Sequence, residues 1–260
     1  MIYPTDLTDS QWQAIKLLLP AQIWQRKRKQ SIRAIINAIL YVVKGGISWR
    51  MMPHDLPDWR LVYYHFRQWA KQGLVQQIHD SMVIKVRLQA GREASPSLGL
   101  VDSQSVKTMS VTTLKGYDGN KHLTGRKRFI VVDVLGLVLA LRLTSANVGE
   151  RAGALLLFTA LGQRFTRLKT ILADQGFNGV SFLATVKATY QLSVEVVCGV
   201  VGLKGFQLVP KRWIVERTFG WWAFHRRLAK DYEVKEAHAE AVIYWTMIRL
   251  MSRKIRETQS

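Results

Sequence analysis

The chain has 260 residues, of which 48% are hydrophobic and 22% charged, a globular balance that excludes a wholly disordered or collagen-like protein. Its 38 Lys and Arg residues against 18 Asp and Glu residues give a formal net charge of +20, which favours a polyanionic partner, above all nucleic acid. The single cysteine, Cys198, excludes an intrachain disulfide framework and a zinc site built from paired cysteines.

A basic ribosomal protein or a membrane-surface protein would carry a similar charge. Nine Trp residues and a full apolar complement favour a folded core over a basic tail. Residues 1–6 lack the charged leader and apolar segment of a secretory signal, and the apolar stretch 32–43 is too short for a membrane span. We therefore expect a soluble, intracellular protein.

Residues 1–90 show the apolar spacing of helices. A first helix is predicted from Thr8 to Leu19, where Pro20 stops it. Three more are predicted over residues 31–44, 59–71 and 74–88, separated by turns that contain Gly. A helix, a turn and an aromatic-rich helix are typical of a helix-turn-helix DNA-binding region, although a small helical bundle gives the same pattern.

Residues 91–97 form a polar, turn-rich connector, after which the pattern changes to that of a mixed α/β domain. The predicted strands cover residues 98–102, 129–134, 137–143, 168–173, 193–197 and 206–209, with a hairpin between the second and the third. The predicted helices cover residues 150–161, a segment after Gly176, 211–228 and 236–255. We expect a helical region at 1–90, a connector at 91–97 and an α/β domain at 98–260.

Four acidic residues directly follow apolar runs: Asp102, Asp133, Asp174 and Glu216. A carboxylate at the end of a buried strand is costly unless a positive group compensates it, and a salt bridge is the simplest compensation in so basic a protein. Several clustered acids in a nucleic-acid-binding protein instead favour Mg²⁺, because without metal they would repel the phosphates. A structural role is favoured for Asp133, since Asp is common in hairpin turns.

Basic residues surround these acids. Arg212 stands four residues before Glu216 on one helix face, so it either forms an internal salt bridge or meets a DNA phosphate. The other charges either contact phosphates or only solubilise the surface. The candidate DNA-binding residues are Arg26, Lys27, Arg28, Lys29, Arg50, Arg60, Arg67, Lys121, Arg126, Lys127, Arg128, Lys211, Arg212, Arg217, Arg226 and Arg227.

An ordered set of motifs runs through the chain nearly from end to end. The motifs include LTDSQW at 7–12, VDSQSVK at 101–107, GYDGNK at 116–121, GRKR at 125–128, SANV at 145–148, ADQGF at 173–177 and RWIVERTF at 212–219. Taken together they resemble the bacterial DDE transposases, most of all those of insertion sequence family five.

The resemblance implies a ribonuclease H-like mixed sheet flanked by helices and preceded by an all-α, helix-turn-helix-like region for end recognition. It implies that Asp102, Asp174 and Glu216 are the catalytic, metal-binding triad, holding two Mg²⁺ or Mn²⁺ ions. The implied partner is double-stranded DNA, as inverted-repeat ends and as target, bound by a homodimer or larger assembly at the bacterial nucleoid in the cytoplasm. The implied activity is cleavage at the element ends followed by joining to target DNA.

The sequence departs from the family pattern at a few positions. Phe224 stands where a basic residue is frequent, Ala152 where an acid is frequent, and Cys198-Gly199 where a basic pair is common. None of these positions belongs to the triad. A catalytically inactive DNA-binding relative or repressor stays open as an alternative function, as does a ribonuclease H-like nuclease that cleaves without joining.

Overall fold

A computed structural model describes residues 3–23, 29–112, 114–197 and 211–255. The helices are α1 (Asp9–Lys16), α2 (Ile32–Gly45), α3 (Trp59–Lys71), α4 (Leu74–Gln89), α5 (Glu150–Leu161), α6 (Val180–Tyr190), α7 (Trp213–Ala223) and α8 (Glu236–Ser252). The strands are β1 (Leu98–Lys107), β2 (Gly116–Asp118), β3 (Leu123–Val132), β4 (Val138–Ser145), β5 (Thr170–Ala173) and β6 (Ser193–Val196). The chain forms two compact units, Met1–Gly91 with Trp222–Ser260, and Arg92–Trp221.

The first unit is all-helical, and local capping sets where its helices begin. Thr8 and Gln11 form a reciprocal capping box at α1, and the Ser31 hydroxyl accepts from the backbone of Ala34 at α2. The Asp58 carboxylate accepts from the backbone N–H of Arg60 at α3. All four helices predicted in this region are present, with α1 ending three residues before Leu19.

Helix α8 lies at the centre of the first unit and is buried almost all round. Trp245 is fully buried and packs against Trp69 of α3, with ring centroids 6.1 Å apart. The Arg249 guanidinium donates to the backbone carbonyl oxygens of Pro4 and Thr5. The C-terminal residues therefore complete the core of the N-terminal helices, although the sequence pattern groups them with the sheet.

The second unit contains a mixed sheet in the order β4-β3-β1-β5-β6, with β2 beside the start of β3. Strand β3 pairs antiparallel with β1 and β4, whereas β1, β5 and β6 are parallel. Helix α5 packs on one face, where Gly153 lies against the ring of Phe129. This arrangement is the expected ribonuclease H-like α/β fold.

Several boundaries in this unit differ from the sequence predictions. Strand β1 continues to Lys107 because polar residues such as Gln104 remain paired with β3, which itself begins at Leu123. Polar residues break the apolar pattern without breaking the backbone ladder. The short strand β2 was not predicted, α7 ends at Ala223 rather than continuing to 228, and the predicted strand 206–209 lies outside the described residues.

The part of the chain that the structure describes contains no helix long and apolar enough to cross a membrane.

The contact between α5 and the sheet generates a stability prediction. A Cβ at Gly153 would overlap the Phe129 ring, so Gly153→Ala should lower the free energy of unfolding by about 1–3 kcal/mol through overpacking. Gly220→Ala in α7 is the matched control, because no described atom lies within 4 Å of its added Cβ. It should stabilise the protein by about 0.5–1 kcal/mol through helix propensity. Equal thermal shifts for the two variants would contradict this account of the packing.

Candidate active site

Two of the predicted acids lie side by side on the neighbouring strands β1 and β5. Leu100 of β1 is in register with Leu172 of the parallel strand β5, so Asp102 and Asp174, each two residues further on, fall on the same face. The Asp102 Oδ1 accepts from the backbone N–H of Ser103 at 2.7 Å. The Asp174 Oδ1 accepts from the N–H of Gly176 at 2.9 Å, in the turn after β5.

The third acid, Glu216, is linked to this pair through Arg212. The Arg212 Nη2 lies 3.3 Å from the Asp174 Oδ2, and its Nε lies 3.7 Å from the Glu216 Oε1. Arg212 lines one pocket together with Asp102 and Asp174, and the apolar side chain of Val215 also lines this pocket. The sequence predicted either an internal salt bridge with Glu216 or a phosphate contact for Arg212. The structure contains the salt bridge, and the phosphate contact stays a prediction.

Contacts with the β3–β4 turn hold the helix that carries Glu216. The Thr218 hydroxyl donates to the carbonyl oxygen of Gly136 at 2.9 Å. The Arg217 guanidinium donates to the carbonyl of Leu135 at 3.1 Å and stacks between Trp213 and Trp221, 4.6 and 4.9 Å from their ring centroids. Arg217 is thereby occupied as an anchor of α7.

The electrostatics of the pocket favour a bound cation. The pKa of Asp102 is raised to about 7, mainly by burial and also by the neighbouring charges of Asp174 and Glu150, against the opposing effects of the Ser103 N–H and Arg212. An ionised, partly buried carboxylate beside a second one is unstable without positive charge. Arg212 supplies part of that charge.

The donor set of the pocket fits a hard divalent ion, because carboxylate oxygens are the ligands that Mg²⁺ takes from proteins. Asp102 and Asp174 are adjacent and face the same side of the sheet. Within the described ranges, however, no three acidic, His or Cys side chains converge closely enough to enclose one ion. Glu216 approaches the pair through the intervening Arg212 guanidinium.

Glu150 is a further acid of this region that the sequence reading did not single out. It begins α5, its Oε1 accepts from the Lys127 Nζ at 3.2 Å, and its side chain lies against Gly176 of the Asp174 turn. Its charge contributes to the raised pKa of Asp102. An acid in a first helical turn usually complements the helix dipole, so the sequence carries no signal for this second role.

Asp133 has the structural role favoured from its sequence position. It is fully buried, and its Oδ1 accepts from the backbone N–H groups of Leu135 and Leu137, both at 2.9 Å. These bonds shape the β3–β4 turn against which α7 is held.

Three of the predicted DNA-binding residues, Arg126, Lys127 and Arg128, are buried in β3, which argues against their contacting DNA. Arg126 donates to the Leu114 carbonyl and the Thr112 hydroxyl. Lys127 lies between Asp118 and Glu150, and Arg128 donates to Gln104. Successive residues of β3 point to opposite faces of the sheet, and helices or loops cover both faces. These cations therefore interact with acids and carbonyl groups inside the protein rather than with phosphates at its surface.

Arg227 is a fourth predicted DNA contact that the structure places inside the protein. Its Nη2 lies 2.6 Å from the Glu233 Oε1, both side chains are 8% exposed, and its Nη1 donates to the Ile47 carbonyl. This buried ion pair links the segment after α7 to the end of α2 within the first unit. A residue so enclosed cannot also bind a phosphate without breaking that pair.

The remaining described candidates reach the surface. On α3, Arg60, Tyr64, Arg67 and Lys71 share one exposed face at helical spacing, and the sequence reading had not included Tyr64 or Lys71. We call this set the α3 stripe. Five other candidates are also exposed: Lys29, Arg50, Lys121, Lys211 and Arg226. Arg212 and Arg217 are half-buried. The last three candidates, Arg26, Lys27 and Arg28, lie outside the described residues.

Family models match two parts of the chain. Residues 93–251 match the family model "Transposase DDE domain", and residues 7–79 match the one described as "Putative transposase of IS4/5 family". The "Insertion element IS402 uncharacterized 16.2 kDa protein" of Burkholderia cepacia is 28% identical over 114 residues, 40% of this chain and 74% of the relative. "Uncharacterized protein y4sN" of Sinorhizobium fredii is 28% identical over 102 residues, 39% of this chain and 75% of the relative.

The raised pKa of Asp102 generates a pH-dependent stability prediction. Above pH 7 the Asp102 carboxylate is ionised in the folded protein, and its desolvation lowers the free energy of unfolding. This loss becomes smaller as the pH falls from about 7 towards about 4, which is the pKa of the group in the unfolded chain. Asp102→Asn should therefore raise the free energy of unfolding in EDTA at pH 8 by about 1–3 kcal/mol, after discounting for solvent screening. The gain should shrink at pH 5. Thermal denaturation at both pH values measures it, and no gain at pH 8 would mean that Asp102 is not desolvated.

Proposed function

The chain belongs to the transposase DDE-domain family, and from that premise we propose that it cuts DNA at the terminal inverted repeats of an insertion sequence and joins the ends to target DNA. As a transposase it acts on DNA. The observation that carries the finer proposal is the pocket in which Asp102 and Asp174 adjoin and Arg212 connects them to Glu216.

The proposed roles follow from the chemistry of each side chain. Asp102, Asp174 and Glu216 bind the divalent ions through their carboxylate oxygens, and Arg212 contacts a phosphate oxygen of the DNA. When bound, two Mg²⁺ ions, or Mn²⁺ in their place, supply activation of the attacking oxygen and stabilisation of the leaving oxygen. Apolar Leu100, Leu172 and Val215 line the pocket floor and limit the access of bulk water.

The proposed reaction has two phosphoryl-transfer steps. In the first, a water oxygen bonds to the phosphorus at the element end and loses a proton to solvent. The bond from that phosphorus to the 3′ oxygen breaks, and this oxygen takes up a proton to become a free 3′-hydroxyl. In the second, the hydroxyl oxygen bonds to a target phosphorus and loses its proton to solvent. The bond from that phosphorus to a target-strand oxygen breaks, and the released oxygen takes up a proton. Two ends must be joined together, so the acting form is at least a dimer on DNA.

For end recognition we propose the helical region 1–90, with residues 98–260 carrying the chemistry. The α3 stripe offers three cations and one aromatic ring on a single helix face, which suits phosphate and groove contacts. Arg50 and Arg60 both lie over the Trp59 ring, 5.4 and 5.5 Å from its centroid, beside this stripe. Because α8 completes the core of these helices, tests of recognition need the full chain.

A catalytically inactive DNA-binding relative is the second candidate function. The observation that favours it is that Glu216 is 59% exposed and ion-paired with Arg212, rather than gathered with the two aspartates. The two candidates differ in one measurement. Strand joining by the wild-type protein with its element ends, Mg²⁺ and a target plasmid supports the transposase, whereas end binding without cleavage supports the inactive relative.

The triad assignment predicts the effect of removing each acid. Asp102→Ala, Asp174→Ala and Glu216→Ala should each lower cleavage by about 10³-fold or more and leave end binding largely intact, because these groups stabilise charge at the reacting phosphate. Gel assays of cleavage and of binding on the same DNA measure both properties.

Asp133→Ala is the control for the triad variants. Its carboxylate shapes the β3–β4 turn, so this variant should lose stability while its folded fraction still cleaves. Any triad variant that still joins DNA at the wild-type rate would remove that residue from the site.

The α3 stripe predicts a change in the salt dependence of DNA binding. Arg67→Gln should weaken binding to the element end and reduce the slope of log affinity against log salt by about 1, the effect of losing one phosphate contact. Lys16→Gln in α1 is the control, since Lys16 is exposed but lies outside the stripe. Fluorescence anisotropy over a salt series measures both slopes, and equal slopes for the two variants would place the recognition surface elsewhere.

A further inference from the structure

Arg212 lies between Asp174, which lines the pocket, and Glu216 of α7, where a metal-binding site would hold a cation. Its guanidinium carries its charge at 3.3 Å from Asp174 and 3.7 Å from Glu216, and it is among the groups that lower the pKa of Asp102. The positive charge of Arg212 therefore interacts with all three predicted metal ligands. Arg212 is the residue directly before α7.

We propose that Arg212 is a built-in counter-ion that competes with the divalent metal for Asp174 and Glu216 until a DNA phosphate draws it away. This inference rests on the proposed function, in which those acids bind metal. As a consequence, DNA binding raises the affinity for the metal and metal binding raises the affinity for DNA. Without DNA, the protein binds the metal only weakly.

The strengths of the interactions allow this exchange. The Arg212, Asp174 and Glu216 side chains are 42%, 30% and 59% exposed, and ion pairs at such exposure are weak and reversible. A phosphate offers the planar guanidinium two parallel hydrogen bonds, which is the geometry that arginine binds best. Arg212 therefore gains by leaving the carboxylates when DNA arrives, and the negative charge that it leaves behind attracts the metal.

Two other cations of this unit, Lys127 and Arg217, are held by contacts that keep them from this exchange. Lys127 is buried between Asp118 and Glu150, on the opposite face of the sheet from Asp102. Arg217 stacks between two indole rings and donates to the Leu135 carbonyl. Arg212 is half-exposed and has the two triad acids as its ion-pair partners.

The first test measures Mn²⁺ affinity of the full chain without DNA, by electron paramagnetic resonance of the free ion. Arg212→Gln should bind Mn²⁺ about three- to tenfold more tightly than wild type, the range expected for removing one or two exposed ion pairs. Arg151→Gln is the charge-matched control. Arg151 lies beside Glu150 and against Gly179, near the Asp174 turn, and its loss should change the affinity by less than about twofold.

Arg212→Lys keeps the positive charge but lacks the forked geometry of the guanidinium, so its Mn²⁺ affinity should lie between those of wild type and Arg212→Gln. This conservative variant keeps the test possible if Arg212→Gln does not fold. An Arg212→Gln protein that binds Mn²⁺ no more tightly than Arg151→Gln would overturn the counter-ion proposal. Asp174→Asn in the Arg212→Gln background separates this failure from that of the proposed function. If Mn²⁺ binding is unaffected by Asp174→Asn, the triad is not the metal site.

The second test measures the coupling with DNA, using Ca²⁺ as the ion and fluorescence anisotropy of a labelled element end. In the wild-type protein, Ca²⁺ should tighten DNA binding, and by linkage DNA should tighten Ca²⁺ binding by the same factor. In Arg212→Gln that factor should fall at least about threefold, because no guanidinium has to leave Asp174 and Glu216 before the ion binds. An unchanged factor would contradict the proposal even if Mn²⁺ affinity had risen.

Discussion

The parallel register between β1 and β5 is the constraint on which the pocket depends. It sets Asp102 beside Asp174 on one face of the sheet, just past the point where the pairing of β1 with β5 ends. The backbone ladder holds these two carboxylates together although their charges repel, and burial raises the pKa of Asp102 to about 7. The fold therefore places two acidic groups where a positive charge stabilises their ionised forms, and Arg212 supplies part of that charge.

A second constraint positions the helix that carries Glu216. Asp133 shapes the turn between β3 and β4, and carbonyl groups of that turn accept from Thr218 and Arg217 of α7. The orientation of Glu216 thus depends on a hairpin more than eighty residues earlier in the chain, as the separation of 82 between Thr218 and Gly136 shows. Asp133 therefore acts on the site through the turn that it shapes.

The basic residues of this protein occupy two different environments. The α3 stripe and residues such as Lys121 are exposed, as cations that meet phosphates must be. Arg126, Lys127 and Arg227 are instead buried against acids, carbonyls and hydroxyls, where they satisfy internal groups. Net charge correctly indicated a polyanionic partner, but it could not tell which cations face that partner.

The sequence by itself determined the four N-terminal helices, the hairpin around Asp133, helix α5 and the family, because capping residues, apolar period and ordered motifs are local properties of the chain. The triad stays a prediction, yet its acids were recognisable as carboxylates that follow apolar runs. Only the tertiary structure decided which residues share a pocket, that Glu150 lies near Asp102, that α8 belongs to the core of the first unit, and that Arg126 is buried. These facts depend on which faces meet across long sequence separations, and the period of an isolated segment shows that it has a buried face without showing what covers it.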